Sequence, residues 1–443
     1  MGRAGRPLRA DLSAMVWDGV AFGAMVGLGE TYLPAFALAL GHGAVTAGLV
    51  ASLPMLCGAL IQLVTPAAVG LLDSHRRWVV LCATLQALSF LPLVAGALSG
   101  SMEAWPLFAA ASVYWGLGMS TGPAWTAWVS SLIPARIRAV FLARRAARSQ
   151  LALMLSLLGS GVALDVAAGL DRPLAGFALV FALALAARLL SATFLASQSE
   201  PRPAPIGETV LSPTAIRRHV ETGGHGRLLG FLLVFQLSVW ISAPYFTPYM
   251  LGPLGFDYAQ FMTITVTAFV ARVLALPLLG RRMQRIGTRR VLLLSGLGIV
   301  PVPALWLLSD SFAWLLFLQL LSGSAWAAFE LGSLLSFFER IPRHGQASVL
   351  TVYNLANAVA IVVGSLIGGF LLDLPGAAGQ GYVVVMVVST IARLASLVLL
   401  RGVSEAPIAG PVPALRTLGV RPSSGGIQRP VLAESRAPEA SPV

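Results

Sequence analysis

Three ionisable side chains stand inside long apolar runs. Glu30 lies in Gly27-Leu28-Gly29-Glu30-Thr31-Tyr32-Leu33-Pro34, and Arg272 and Glu330 lie in two other runs. If these runs cross a bilayer, a charge at the helix centre costs roughly 2.5–3.5 kcal/mol on insertion scales, so such residues either mark an ion or solute pathway or pair with one another. Pro34 has no N–H to offer the Glu30 carbonyl four residues earlier, which leaves both backbone and side-chain acceptors at that point. Arg272 and Glu330 each fall eight residues before the end of their run. That places them at a shared depth of about 12 Å at 1.5 Å per residue and predicts an intramembrane ion pair. Gln62 keeps a polar group at the corresponding place before Gly70.

The uncharged candidates are Tyr32, Tyr114, Trp125, Gln236 and Asn354, accompanied by Trp326 and Phe329. An aromatic lining with few polar groups suits an amphipathic organic ligand. Arg188 and Arg393 lie nearer the ends of their runs and are expected to snorkel toward water. Trp128, Tyr245 and Tyr249 are expected in an interfacial aromatic belt.

The elements that must position these residues follow from composition. Of 443 residues, 57% are hydrophobic and only 11% charged, against roughly 25% charged in soluble domains, so the chain is an all-α membrane protein. Twelve apolar runs predict helices at 16–40, 45–72, 78–99, 104–132, 149–168, 173–197, 227–251, 258–280, 291–308, 313–338, 348–372 and 381–401. Each is near the 17–25 residues needed to span. The organisation is then a cytoplasmic N-tail (1–15), a first six-helix half (16–197), a cytoplasmic central loop (198–226), a second half (227–401) and a disordered cytoplasmic C-tail (402–443). The tail is Pro-, Ser- and Gly-rich, a composition that cannot bury a core.

The net charge of +12 resolves into thirty arginines and no lysine. Twenty-six of them fall on one side of the predicted topology, and only Arg172 falls on the other. This bias places both termini in the cytoplasm and removes the case for a nucleic-acid partner. Arginine-only usage points to a GC-rich bacterial genome, hence a bacterial inner membrane. Cys57 and Cys82 form no metal or disulfide framework, and the five histidines are scattered, so no metal or cofactor is expected. A chain without lysine holds no phosphate-binding Gly-Lys motif, which argues against an enzyme or an ATP-driven pump.

The two halves repeat. Ala187-Arg188-Leu189-Leu190-Ser191 matches Ala392-Arg393-Leu394-Ala395-Ser396 at an offset of 205, and Pro34 through Gly41 matches Pro248 through Gly255 at 214. Ile133-Pro134 with Ile341-Pro342, and Asp165 with Asp373, repeat at 208. Four matches in order argue for two pseudo-symmetric six-helix bundles.

Gly280-Arg281-Arg282-Met283-Gln284-Arg285-Ile286-Gly287-Thr288-Arg289-Arg290, between the eighth and ninth helices, and the shortened Gly70-Leu71-Leu72-Asp73-Ser74-His75-Arg76-Arg77, between the second and third, resemble the loop signature of the major facilitator superfamily of secondary transporters. Gln284 replaces the signature's acid, and the first copy lacks the inner glycine. The resemblance implies that helices 1, 4, 7 and 10 line a central cavity and that Glu30 is a proton or substrate site. It also implies that Gly70, Asp73, Arg76, Arg77, Gly280, Arg285, Gly287, Arg289 and Arg290 act in gating. The helix-4 arginine of the superfamily is absent, with Tyr114-Trp115-Gly116 in that region, and the antiporter Gly-Pro motif is reduced to Gly159-Ser160-Gly161. By residue matching at an offset of 214, the counterpart of Glu30 is Pro244. The expected function is alternating-access transport of a small organic solute by a monomer in the lipid bilayer. Protons are the candidate coupling ion and export is favoured over uptake of a polar metabolite.

Overall fold

The computed structural model describes residues 7–200, 225–340, 346–374 and 380–402. The disordered C-tail and the Ser212-Pro213 helix start expected in the central loop lie outside the described residues. Every described element is helical, and they group into twelve passes. These are α1 (Leu8–Ala39), α2 (44–72), α3 (His75–Ser99), α4 (Ala104–Leu132), α5 (Ala135–Gly169) and α6 (Pro173–Ser197), then α7 (225–251), α8 (Tyr258–Ile286), α9 (288–306), α10 (Phe312–Arg340), α11 (Gln346–Leu372) and α12 (381–402). Eleven segments among the described residues are long and apolar enough to cross a membrane. The remaining pass, α4, has 29 residues, but its Trp, Tyr, Ser, Thr and Gly content dilutes its hydropathy.

Two starts differ from the hydropathy reading. α1 begins at Leu8 and α5 at Ala135, because alanine and arginine are good helix formers and carry a helix past its apolar stretch. Arg144, Arg145 and Arg148 therefore sit on α5 rather than in a connection.

Prolines set the internal breaks. A proline removes the hydrogen bond to the carbonyl four residues back and crowds it. Helical segments end at Val50, Gln62, Leu88, Trp240 and Ile299, which stand four residues before Pro54, Pro66, Pro92, Pro244 and Pro303. α1 breaks by the same rule. Its first segment ends at Leu28, and a 3-10 turn at Glu30–Tyr32 precedes the segment containing Pro34. α4 carries a proline, Pro123, through an unbroken helix.

Within the first half α1 packs on α5 and α6, and α2 on α4; in the second half α7 packs on α11, and α8 on α10. The repeat is visible atom by atom. Tyr32 Oη, at the 3-10 turn of α1, donates to the Leu157 carbonyl of α5 at 2.8 Å, and Tyr245 Oη, at the 3-10 turn of α7, donates to the Ser365 carbonyl of α11. The two turns, Glu30–Tyr32 and Ala243–Tyr245, pair Glu30 with Ala243, one residue from the expected Pro244.

Backbone approach is closest where glycines line a contact. Gly23 and Gly27 of α1 face Ser149 and Leu153 of α5 so tightly that a Cβ at either would strike a backbone carbonyl. Gly27→Leu is therefore expected to lower stability by about 1–3 kcal/mol through overpacking, read as a lower thermal midpoint in detergent. Gly159→Ala, which points into open space, should leave the midpoint unchanged.

The face carrying Pro7, the arginine-rich connections and the end of α12 is called the basic face below. Contacts between the halves among the described residues gather at the opposite face. Gly48 of α2 abuts Tyr245 of α7, Gly369 of α11 faces Val45 of α2, and Gly161 of α5 abuts Met262 of α8. Phe177 of α6 meets the Tyr258 ring of α8 edge-on, with centroids 5.7 Å apart.

Candidate functional site

Glu30 opens the 3-10 turn that interrupts α1 and is 3% exposed. The break turns its side chain toward α4, where Tyr114 Oη donates to Glu30 Oε2 at 2.9 Å. Tyr114 is held in turn by edge-on contacts with Phe90 and Trp115 and lies 3.4 Å from the Met25 sulfur. The carboxylate is thus enclosed by aromatic and apolar packing and met by a phenol.

Arg272 and Glu330 form an ion pair between α8 and α10, with Nη1 and Oε1 3.2 Å apart and both side chains 13% exposed. Beside it lies an aromatic cluster. The Arg272 guanidinium is 5.9 Å from the Trp326 ring centre, and Phe235 of α7 stacks on Phe329 of α10 at 4.5 Å. Gln236 is buried on the next position of α7, and Asn354 is half-buried on α11. Asn357, one turn along, has a buried Oδ1 with no hydrogen-bond partner.

Two candidates are committed to packing. Tyr32 is fully buried and spends its hydroxyl on α5. Trp125 lies under the Arg145 guanidinium, 4.6 Å from ring centre to Cζ. Trp128 and Tyr245 are also buried, so neither belongs to an interfacial belt; Trp128 Nε1 donates to the Ser199 carbonyl. Arg188 and Arg393 do not snorkel. Both are buried among neighbouring helices, where hydrogen bonds replace water.

Two of the loop arginines bond within their own halves. Arg76 Nη1 donates to the Gln198 carbonyl at the end of α6, and Arg289 Nε to the Leu400 carbonyl at the end of α12. Cations at helix C-termini satisfy carbonyls that lack intrahelical partners. Glu200 joins the first clamp, accepting from Ser74 Oγ and from the Arg76 backbone N–H. Asp73 adopts φ 46°, as Gly287 adopts φ 86° in the second copy. Where the first copy lost its inner glycine, an aspartate, one of the few residues that tolerates this conformation, makes the turn. Gly70 and Arg77 are exposed, as is Arg290. The side chains of Gly280 and Arg285 lie outside the described residues.

Sequence reading missed Asp18 and Gln86. Asp18 is buried in α1, with Oδ2 2.7 Å from Arg145 Nη2. An acid inside the first apolar run was the available signal, but Arg145 had been assigned to a connection.

The second half of the chain, over residues 228–433, matches the family model of the Major Facilitator Superfamily. No curated protein matches the chain at the sequence level. Among solved structures, the nucleoside transporter NupG is 14% identical at a TM-score of 0.64, covering 88% of this chain and 97% of that one. The inward-open xylose transporter XylE from E. coli is 15% identical at 0.63, covering 90% and 97%. The human organic anion transporter MFSD10 is 20% identical at 0.55, covering 89% and 100%. The second half of the chain thus carries the sequence pattern of that family, and the chain as a whole shares the fold of these solved transporters.

Proposed function

We propose that this protein is a secondary active transporter that moves a small organic solute by alternating access and couples the movement to protons at Glu30. The observation that carries the reading is the Glu30 carboxylate, buried at a helix break and hydrogen-bonded by Tyr114. A buried acid is costly in a spanning helix and is retained where it serves a pathway. The arginine bias supports a cytoplasmic position for the basic face, in a bacterial inner membrane. The aromatic cluster of Phe235, Trp326 and Phe329 suits an amphipathic solute and favours export.

The Arg272–Glu330 pair supplies the one observation that favours the other reading, uptake of a polar solute, because it stays partly exposed and offers both charges. Counterflow in proteoliposomes, screened over amphipathic cations and anions, sugars and nucleosides, separates the two. Exchange of an amphipathic compound supports the first reading. Exchange confined to polar metabolites replaces it with the second.

A further inference from the structure

A buried series of hydrogen bonds, joined through the body of Tyr114 between its hydroxyl and its backbone carbonyl, runs from Glu30 to the basic end of α1 and crosses five helices. Tyr114 Oη of α4 donates to Glu30, and Gln86 Nε2 of α3 donates to the Tyr114 carbonyl at 3.0 Å. Arg188 Nε of α6 donates to Gln86 Oε1 at 2.8 Å, and its Nη1 donates to Ser191 Oγ at 2.8 Å. Ser191 Oγ donates to Asp18 Oδ1 at 2.7 Å, and Arg145 Nη2 of α5 donates to Asp18 Oδ2 at 2.7 Å. Glu30, Tyr114, Gln86, Arg188, Ser191 and Asp18 are each 3% exposed or less.

Two features separate this chain from ordinary packing. The first is charge. Arg145 and Arg188 contribute two cations and Asp18 one anion, so the chain is neutral only when Glu30 is ionised. An unbalanced buried charge is expensive, and each link makes its neighbours' state matter more at low dielectric. The second is its absence from the other half. The repeat-equivalent Arg393 is equally buried, yet its donors reach only neutral acceptors: Ser389 Oγ, Ser242 Oγ and the carbonyls of Ile299 and Val239. The residue matching Glu30 there is Ala243. Among the described residues, the second half therefore holds its buried arginine without a carboxylate.

We propose that Gln86 and Arg188 are positioning residues for Glu30, fixing Tyr114 against it and setting its balance between ionised and neutral forms, and that through Ser191 they tie that balance to the Asp18–Arg145 pair between α1 and α5. The proposal rests on the reading of Glu30 as the coupling acid. The ionisable and charged groups on the helices around it include Tyr114 on α4, Cys82 on α3, Arg188 on α6, Arg145 on α5, Tyr249 on α7 and, on α1 itself, Asp18 and Tyr32. Of these, Arg188 is the cation linked to Glu30 through the fewest hydrogen bonds of the chain. Its removal leaves the carboxylate less stabilised, so Glu30 should hold its proton to higher pH.

The test needs no solute. Infrared difference titration of the full-length protein in lipid nanodiscs follows protonated carboxyl groups, and the Glu30 signal is the one removed by Glu30→Gln. Its midpoint should rise by about one pH unit, a tenfold gain in proton affinity, in both Arg188→Gln and Gln86→Met. Arg188→Lys, which keeps the charge, should restore most of the wild-type value. Size-exclusion profile and thermal midpoint report folding, and should Arg188→Gln fail to fold, the isosteric Gln86→Met decides alone. A Glu30 midpoint unmoved in a folded variant overturns the link. A titration with no signal lost in Glu30→Gln overturns the reading of Glu30 itself, so the two failures are distinguishable.

Discussion

Glu30→Gln should abolish proton-driven accumulation of solute while leaving solute exchange across the membrane measurable. The substitution keeps the shape of the side chain and a hydrogen-bond partner for Tyr114 Oη, but removes the proton that the carboxylate could load and release. Exchange needs only that the loaded protein reorient. Accumulation against a gradient needs the proton to be carried and released in each cycle. A fall of at least about tenfold in accumulation, roughly 1.4 kcal/mol or more of lost coupling, is the expected magnitude, read as the steady-state solute ratio in vesicles. Tyr114→Phe should show a smaller loss in the same direction, since it removes one hydrogen bond to the acid and leaves the acid in place.

The second large effect is structural. Glu330→Ala leaves Arg272 without its anion in the membrane interior, and breaking one side of a buried pair costs about 3–5 kcal/mol. Arg272→Ala should cost a similar amount. Replacing both residues by alanine closes a double-mutant cycle on thermal midpoints, and removing the stranded charge should leave the double variant about 2–3 kcal/mol more stable than the sum of the two single losses. Replacing both by leucine also refills the space and should recover most of the loss. If the double-alanine variant were as unstable as the sum of the two single ones, the pair would not be a coupled unit. Transport separates the two readings of function. A double-leucine variant that still moves an amphipathic solute makes the pair a structural brace, whereas lost transport with recovered stability makes it part of the solute pathway.

The parts legible in the sequence are those that depend on a residue's own solvation. Hydropathy located twelve passes, and shared depth brought Arg272 and Glu330 together. Short matches such as those around Arg188 and Arg393 exposed the repeat. The positions of breaks were also written locally, since each proline acts on the carbonyl four residues before it.

Partnerships were less visible. Arg145 looked like a loop cation because hydropathy ends a helix where charges begin, yet α5 continues through it and delivers it to Asp18. Arg188 and Arg393 were read as snorkelling because their buried acceptors, Gln86 and Ser191 in one half and Ser389 and Ser242 in the other, come from other helices or another turn. Trp128 and Tyr245 sit near helix ends, where aromatics often meet lipid headgroups, but helix packing had already enclosed them. In each case the deciding energy is a contact between segments far apart in the chain, which no single-residue scale contains.

The superfamily's loop signature shows the same limit. Its arginines were expected to act in gating, as the resemblance implies. In the structure Arg76 and Arg289 each donate to a carbonyl at the end of the last helix of their own half. The clamp formed with Ser74 and Glu200 ties the start of the central connection to the first half.

The central claim is that movement of solute and movement of protons are one process. Purified protein in proteoliposomes, loaded with a solute found by counterflow and an internal pH dye, tests it when a pH gradient is imposed across the membrane. The account predicts that solute flux rises with the gradient, that solute added without a gradient drives a matching pH change, and that Glu30→Gln loses both. Equal solute flux with and without the gradient, with no pH change on solute addition, would contradict it.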